Sequence, residues 1–229
     1  TEGGDARGPV VVVSALSGVT DRLLGVAALA GSGDVEGART SLQDLRARHI
    51  KVSEVIADAS LRQPVVDALN REFDDLERIV TALAVLQEVS PRWLDALAAT
   101  GEILSSQIVA AALTSHKLLA SFVDSRKAVV TDGEHTAAVP MFEETTAALM
   151  THADPPLAAG RIPVMGGFVG ATTAGVTTTL GRGGSDFSAA IVGACLGASE
   201  IQIWTDVDGM LTADPRIVKN PQVVPHLSF

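Results

Sequence analysis

Ile162-Pro163-Val164-Met165-Gly166-Gly167-Phe168, followed by Thr177-Thr178-Thr179-Leu180-Gly181-Arg182-Gly183-Gly184-Ser185-Asp186 and an apolar run to Leu196, decides the fold. The first stretch reads as a buried strand that ends in glycines. The second reads as a polar, Gly-rich segment not directly preceded by a clear strand, and Asp186–Leu196 as an apolar helix. Ile201–Trp204 reads as another strand, and Thr205 to Pro225 as mostly loop. Strands alternating with helices indicate an α/β fold with a largely parallel sheet.

The same alternation extends toward the N-terminus. Val10–Leu16 is a short apolar strand, Ser14, Ser17 and Gly18 form a loop, and a helix follows over Arg22–Ala30 with Thr20 as its N-cap. Pro91 opens a helix that runs from Trp93 to about Leu113. Leu119–Val123 and Ala128–Thr131 read as short strands, Glu143–Thr151 as a helix, and Asp154–Pro156 as a turn. Between Asp34 and Glu88, apolar residues recur at helical spacing (Leu42, Leu45, His49, Val52; then Leu69, Phe73, Leu76, Val80, Leu83), with Pro64 between the two sets. This predicts an antiparallel helical excursion at about 34–90, peripheral to the sheet.

Composition bounds the function. The 229 residues suit one large domain or a fused small pair, and 47% hydrophobic content supplies a core. A net charge of −10 argues against a nucleic-acid partner, which needs cations to displace counterions. The lone Cys195 excludes an internal disulfide framework and points to a reducing, cytoplasmic setting. The run Val10–Val13 is far too short to span a bilayer, so no membrane partner is expected. Glu2 and Asp5 stand where a signal peptide would be basic and then apolar. The histidines lack zinc-ligand spacing, and neither a Gly-x-Ser-x-Gly elbow nor a Walker-type loop is present.

Four segments have the residue types for ligand chemistry. In Thr177–Asp186, glycines let backbone N–H groups converge on an anion at a helix N-terminus, and Arg182 offers planar two-point contact to a carboxylate. The same run also reads as a flexible turn with Asp186 as an ordinary first-turn acid. A dinucleotide fingerprint fits poorly, because Asp186 stands where its third glycine belongs. Thr205-Asp206-Val207-Asp208-Gly209 through Arg216 follows a strand end and reads equally as turns and as a site. It is not a calcium loop. Thr100-Gly101-Glu102 places a carboxylate among apolar neighbours, and a mid-helix Gly101 predicts close approach of another segment. Ser14–Asp21 is a hydroxyl-rich strand-to-helix loop, suited to binding and equally to capping.

Taken together and in order, Ser14–Asp21, Thr100–Glu102, Asp124–Lys127, Gly166–Gly170, Thr177–Asp186 and Ile203–Arg216 resemble the aspartokinases of the amino acid kinase family. The resemblance implies a three-layer αβα sandwich with a mainly parallel central sheet. It also implies MgATP-dependent phosphorylation of the L-aspartate side-chain carboxylate, the first step towards lysine, threonine and methionine. ATP and Mg²⁺ would be the cofactors, and the full-length parent would be a homo-oligomer. By the same resemblance Arg182 would hold the substrate α-carboxylate. Glu102 and Asp186 would surround its ammonium, with Asp186 as the catalytic residue. Ser14, Thr20, Phe168, Gly183, Gly184 and Ser185 would complete the pocket. Thr205, Asp206, Leu211 and Arg216 would line the nucleotide site, with Leu211 where many relatives carry Tyr. No protein metal ligand is implied.

Thr1–Gly4 do not reproduce the family's Lys-Phe-Gly-Gly-Thr-Ser opening. The expectation is therefore a kinase domain over 1–229 lacking both edges and the regulatory domains, with little activity alone. The alternatives are another family member acting on glutamate, N-acetylglutamate or a nucleoside monophosphate, and a non-catalytic copy of the fold. A carboxylate acceptor is already ionised at neutral pH and needs no general base. The required work is positioning and neutralisation of phosphate charge. One arginine with two acids is the charge set that a free amino acid calls for.

Overall fold

The computed structural model describes residues 8–181, 183–205 and 209–224. They divide into two units, Thr1–Ser199 and Glu200–Phe229.

The first unit is built on two three-stranded sheets. In one, β4 (Ile162–Gly166) is flanked by β1 (Val11–Val13) and β2 (Ala120–Val123), all parallel, with Val13 opposite Gly166 and Val123 opposite Met165. In the other, β5 (Val169–Thr172) is flanked by β3 (Val130–Thr131), parallel, and β6 (Thr177–Thr179), antiparallel. Period-two alternation assigns the faces. Val11, Val13, Ala120 and Val164 pack with Val109, Ala110 and Leu113 of α4 (Pro91–Ser115). Val10, Val12, Val123 and Met165 pack with Leu149 of α6 (Phe142–His152) and Val192 of α8 (Gly184–Leu196). This gives the three layers expected from the sequence.

The helical excursion also forms. It comprises α2 (Val35–Val52), a 3₁₀ turn (Ser53–Val55) and α3 (Ala59–Leu86), which pack on each other, on α4, and on α1 (Val19–Gly31). Leu42, Leu45, Leu69, Phe73, Leu76, Val80 and Leu83 form their own apolar core with Leu23, Val26 and Leu97. Asp34 and Asp58 cap the two long helices by accepting from the N–H groups of Gly37 and Ser60. Pro64 lies inside α3. By length and composition α4 is apolar enough to cross a membrane, but 67% of its apolar window is buried in the core.

In the first unit, five sequence expectations need correction. The N-cap of α1 is Gly18, at φ 72°, and Thr20 sits in the first turn, because glycine accepts the left-handed entry without a side-chain cap. Ala128 closes the short helix α5 (Ser125–Ala128), so the strand starts only at Val130. Pro155 occupies a helix-opening position in α7 (Asp154–Ala158), where a turn was expected. Strand β4 stops at Gly166, since Phe168 turns the chain at φ 65°. Thr177–Thr179 is a strand, so the Gly-rich run does follow one.

In the second unit, Leu211 pairs with Val223 in an antiparallel bridge, supported by Thr212 N–H to Gln222 O and Val224 N–H to Met210 O. Ile201–Trp204 is not a strand, contrary to expectation. None of the described residues offers it a ladder, and Ile201, Ile203 and Trp204 are exposed.

Candidate functional site

The neighbouring parallel strands β1 and β4 end side by side. Gly167 N–H donates to Val13 O at 2.8 Å, so the turns after β1 and β4 leave the sheet together. This is the edge at which open α/β sheets place ligands. After β1 comes exposed Ser14, and after β4 come Gly167 and half-buried Phe168. Helix α8 begins against them. A Cβ on Gly167 would lie 2.6 Å from Ser185 Cα, and one on Gly184 would lie 2.6 Å from the Phe168 ring. Gly167 is therefore dictated by backbone approach and Gly184 by the Phe168 ring.

From below comes α4. A Cβ on Gly166 would meet Glu102 Cβ at 2.8 Å. A Cβ on Gly101 would meet Ala15 Cβ at 2.9 Å and Val19 Cγ1 at 3.2 Å, which is the close approach that a mid-helix glycine predicts. Glu102 is 4% exposed. Burial pushes its carboxyl up to about 7, against the pull of backbone hydrogen bonds that include one from Ala15. Its Oε2 is buried with no hydrogen-bond partner among the described residues. This buried acid, with one oxygen unpartnered among the described residues, stands at the junction of β1, β4 and α4.

Hydroxyls brace this junction. Ser105 Oγ donates to Ser14 O at 2.7 Å, and Ser125 Oγ donates to Gly166 O at 2.6 Å. Ser188 Oγ accepts from Phe168 N–H at 2.8 Å and donates to Gly184 O at 2.7 Å, tying the β4–β5 turn to the start of α8. Asp124 caps α5 and takes Arg126 at 2.7 Å, while Arg126 also reaches Glu72 of α3 at 3.8 Å. The Asp124–Lys127 segment is thus a brace between β2 and the helical excursion.

Helices α1 and α8 both open after a left-handed glycine, Gly18 at φ 72° and Gly183 at φ 77°, and neither has a side-chain cap among the described residues. Uncapped first-turn N–H groups favour an anion. Thr20 is half-buried in the first turn of α1. Ser185 is half-buried and Asp186 exposed in the first turn of α8.

The structure therefore gathers Ser14, Glu102, Phe168, Gly184 and Ser185 at one junction, with Thr20, Gly183 and Asp186 on the adjoining helix starts. Arg182 and Asp206 lie outside the described residues. Thr205, Leu211 and Arg216 belong to the second unit. There Arg216 is engaged locally, its guanidinium 2.7 and 3.0 Å from the Asp214 carboxylate, and that hydrogen bonding holds Asp214 below the usual carboxylate range. Among the described residues no group of three or more His, Cys, Asp or Glu side chains is arranged to hold a metal. Sequence reasoning missed Ser105 and Ser188, and also Asp95, whose contacts are described below; Ser125 lies in the Asp124–Lys127 segment, but its bond to Gly166 was not foreseen. The advance signal for Ser105 and Ser188 was a hydroxyl within an otherwise apolar helix.

The chain matches the model of the Amino acid kinase family over residues 2–229. It is 36% identical to an aspartokinase of Chlamydia trachomatis serovar D, over 98% of this chain and 48% of that protein. It is 32% identical to lysine-sensitive aspartokinase 3 of Escherichia coli, again over 98% and 48%. The crystal structure of E. coli aspartokinase III in complex with aspartate and ADP superposes with a TM-score of 0.84 at 30% identity, covering 94% of this chain and 46% of that one. The chain spans about half the length of the curated relatives it matches. With strand ends, glycine approaches and helix starts arranged as above, the chain belongs to the amino acid kinase family.

Proposed function

We propose that this chain carries the acceptor site of an aspartate kinase, which transfers the terminal phosphoryl group of ATP to the side-chain carboxylate of L-aspartate, giving 4-phospho-L-aspartate and ADP. The observation that carries this reading is Glu102: a buried carboxyl with an oxygen unpartnered among the described residues, packed against the Gly166–Gly167 strand end that also meets the start of α8. A zwitterion complements that pair, its ammonium on the acid and its α-carboxylate on the N–H groups. The E. coli relative crystallised with aspartate and ADP supports the choice of substrate and nucleotide. In this reading the reaction opens lysine, threonine and methionine synthesis, and the name of the lysine-sensitive relative supports the link to lysine.

In this reading Glu102 and Asp186 take the ammonium, with Asp186 as the catalytic residue that holds the acceptor in line, and Arg182 takes the α-carboxylate. Ser14, Thr20, Phe168, Gly183, Gly184 and Ser185 shape the pocket. Thr205, Asp206, Leu211 and Arg216 contact the nucleotide. The acceptor is ionised at neutral pH, so these residues orient it rather than deprotonate it. Magnesium fits as a passenger of the nucleotide, because such ions are held largely by phosphates and water with one or two carboxylates. It neutralises phosphate charge when bound.

The test is phosphoryl transfer by the intact gene product on L-aspartate, L-glutamate, N-acetyl-L-glutamate and UMP, with hydroxylamine trapping of the acyl phosphate. Aspartate-dependent hydroxamate with equimolar ADP is expected. Turnover on another acceptor, or on none, overturns the reading.

A further inference from the structure

Asp95 is 1% exposed on α4, seven residues before Glu102 and so on nearly the same helix face. A packing position between α4 and β6 is filled by an apolar side chain with no desolvation cost, so a carboxylate there needs a reason. Its donors supply one. Thr179 Oγ1 donates to Oδ1 at 2.6 Å, His135 Nδ1 donates to Oδ2 at 2.6 Å, and Thr136 N–H lies 3.0 Å from both oxygens. These donors come from the end of β6 and from the 132–139 segment, far from Asp95 in sequence.

What the carboxylate holds is an unfavourable conformation. Thr136, a β-branched residue, sits at φ 70° in the left-handed region. Such a residue persists where its surroundings over-determine it, and it marks a functional constraint. The carbonyl of Thr136 stands against Gly181, where a Cβ would lie 3.2 Å from it, and Gly181 is itself at φ 78°. Ala138 N–H donates to Thr179 O at 2.9 Å, extending the contact along β6. On the other side of the same corner, Leu180 N–H donates to Phe168 O at 2.9 Å, and Gly184 N–H closes onto Gly181 O at 3.1 Å. The Gly181 corner is thus gripped between Phe168 and Thr136, and the shape of Thr136 depends on Asp95.

We propose that Asp95 is a positioning residue that clamps the Gly181 corner through Thr136 and Thr179 and thereby fixes the start of α8 for acceptor binding. The clamp stands on the geometry above, and its consequence for aspartate affinity rests on the aspartate kinase reading. Asp95→Asn keeps the shape but turns an amide donor toward groups that already donate.

The experiment compares wild type, Asp95→Asn, His135→Ala and His135→Asn in the intact gene product, by amide hydrogen exchange and steady-state kinetics. In Asp95→Asn the amides of Leu180, Gly181, Gly184 and Ser185 should exchange at least tenfold faster, with those of α2 and α3 unchanged. The aspartate KM should rise at least tenfold while the ATP KM stays within twofold. His135→Ala should move the same way, and His135→Asn, which restores a donor near Nδ1, should return towards wild type. Should Asp95→Asn fail to fold, Thr179→Val removes one donor and should give smaller shifts of the same kind. Unchanged exchange at the corner, or equal rises in both KM values, would overturn the clamp. A wild type that exchanges as described but never phosphorylates aspartate would sink the functional reading alone, because exchange decides the clamp independently.

Discussion

Gly167 and Ser185 meet backbone to backbone: a Cβ at residue 167 would lie 2.6 Å from Ser185 Cα. The end of the central strand and the start of α8 are therefore locked at a separation that only glycine permits. Gly167→Ala must push α8 away, since the obstacle is main chain rather than a flexible side-chain tip. Overpacking of this kind costs about 1–3 kcal/mol. Urea denaturation should show that loss, and the aspartate KM should rise with it. A fully stable Gly167→Ala variant with unchanged KM would show that the contact is slack.

Glu102 gives a pH prediction with a definite sign. Its folded carboxyl titrates at about 7, above an ordinary value of 4.5. Between these values the folded state binds the proton and the unfolded state does not, so stability falls as pH rises through that window. The contribution is present below the unfolded value and lost by about pH 7, up to about 3 kcal/mol in all. Glu102→Gln should flatten this slope in denaturation measured from pH 5 to pH 8. Because an ammonium pairs with the ionised form, kcat/KM for aspartate should rise through pH 7 in wild type, and this rise should vanish in the variant.

His49 gives the opposite slope. It is fully buried in the helical excursion, its Nδ1 donates to Leu45 O at 2.7 Å, and its Nε2 has no partner among the described residues. Burial holds its pKa below 6.5. The unfolded chain therefore takes up a proton first as pH falls below 6.5, and stability declines with it. His49→Leu should lose less Tm than wild type between pH 7.5 and pH 5.5, the gap being about 2–4 °C for each kcal/mol of linkage removed. Parallel Tm–pH curves would contradict this.

Ser188 joins two backbone groups of the site through one hydroxyl. Ser188→Ala withdraws the acceptor 2.8 Å from Phe168 N–H and the donor to Gly184 O. Leaving buried groups short of partners costs about 1–3 kcal/mol. Chemical denaturation should register the loss, with the aspartate KM raised more than the ATP KM. Equal effects on both substrates would reduce Ser188 to general packing.

Much of this was legible in the chain itself. The apolar runs at Val10–Leu16 and Ile162–Phe168 announced two parallel strands, though not which face each valine takes, and helical spacing from Leu42 to Leu83 announced the excursion. Gly101 gave away its close contact because a mid-helix glycine is costly without one. The strand Thr177–Thr179 was not legible, since its inward Thr178 is satisfied by the Thr131 hydroxyl at 2.6 Å rather than by apolar packing. Ile201–Trp204 misled in the other direction: β-branched and aromatic residues suit a strand, but a strand also needs a neighbour. Asp95 was invisible because its donors lie 40 to 84 residues away.

The central claim is that the Glu102 oxygen left without a partner among the described residues receives the ammonium of the acceptor. Calorimetric titration of the intact gene product with L-aspartate and with succinate, which lacks the amino group, tests it directly when repeated on Glu102→Gln. The account predicts a strong preference of wild type for aspartate above pH 7 that collapses in the variant. An undiminished preference in a folded Glu102→Gln protein would contradict it.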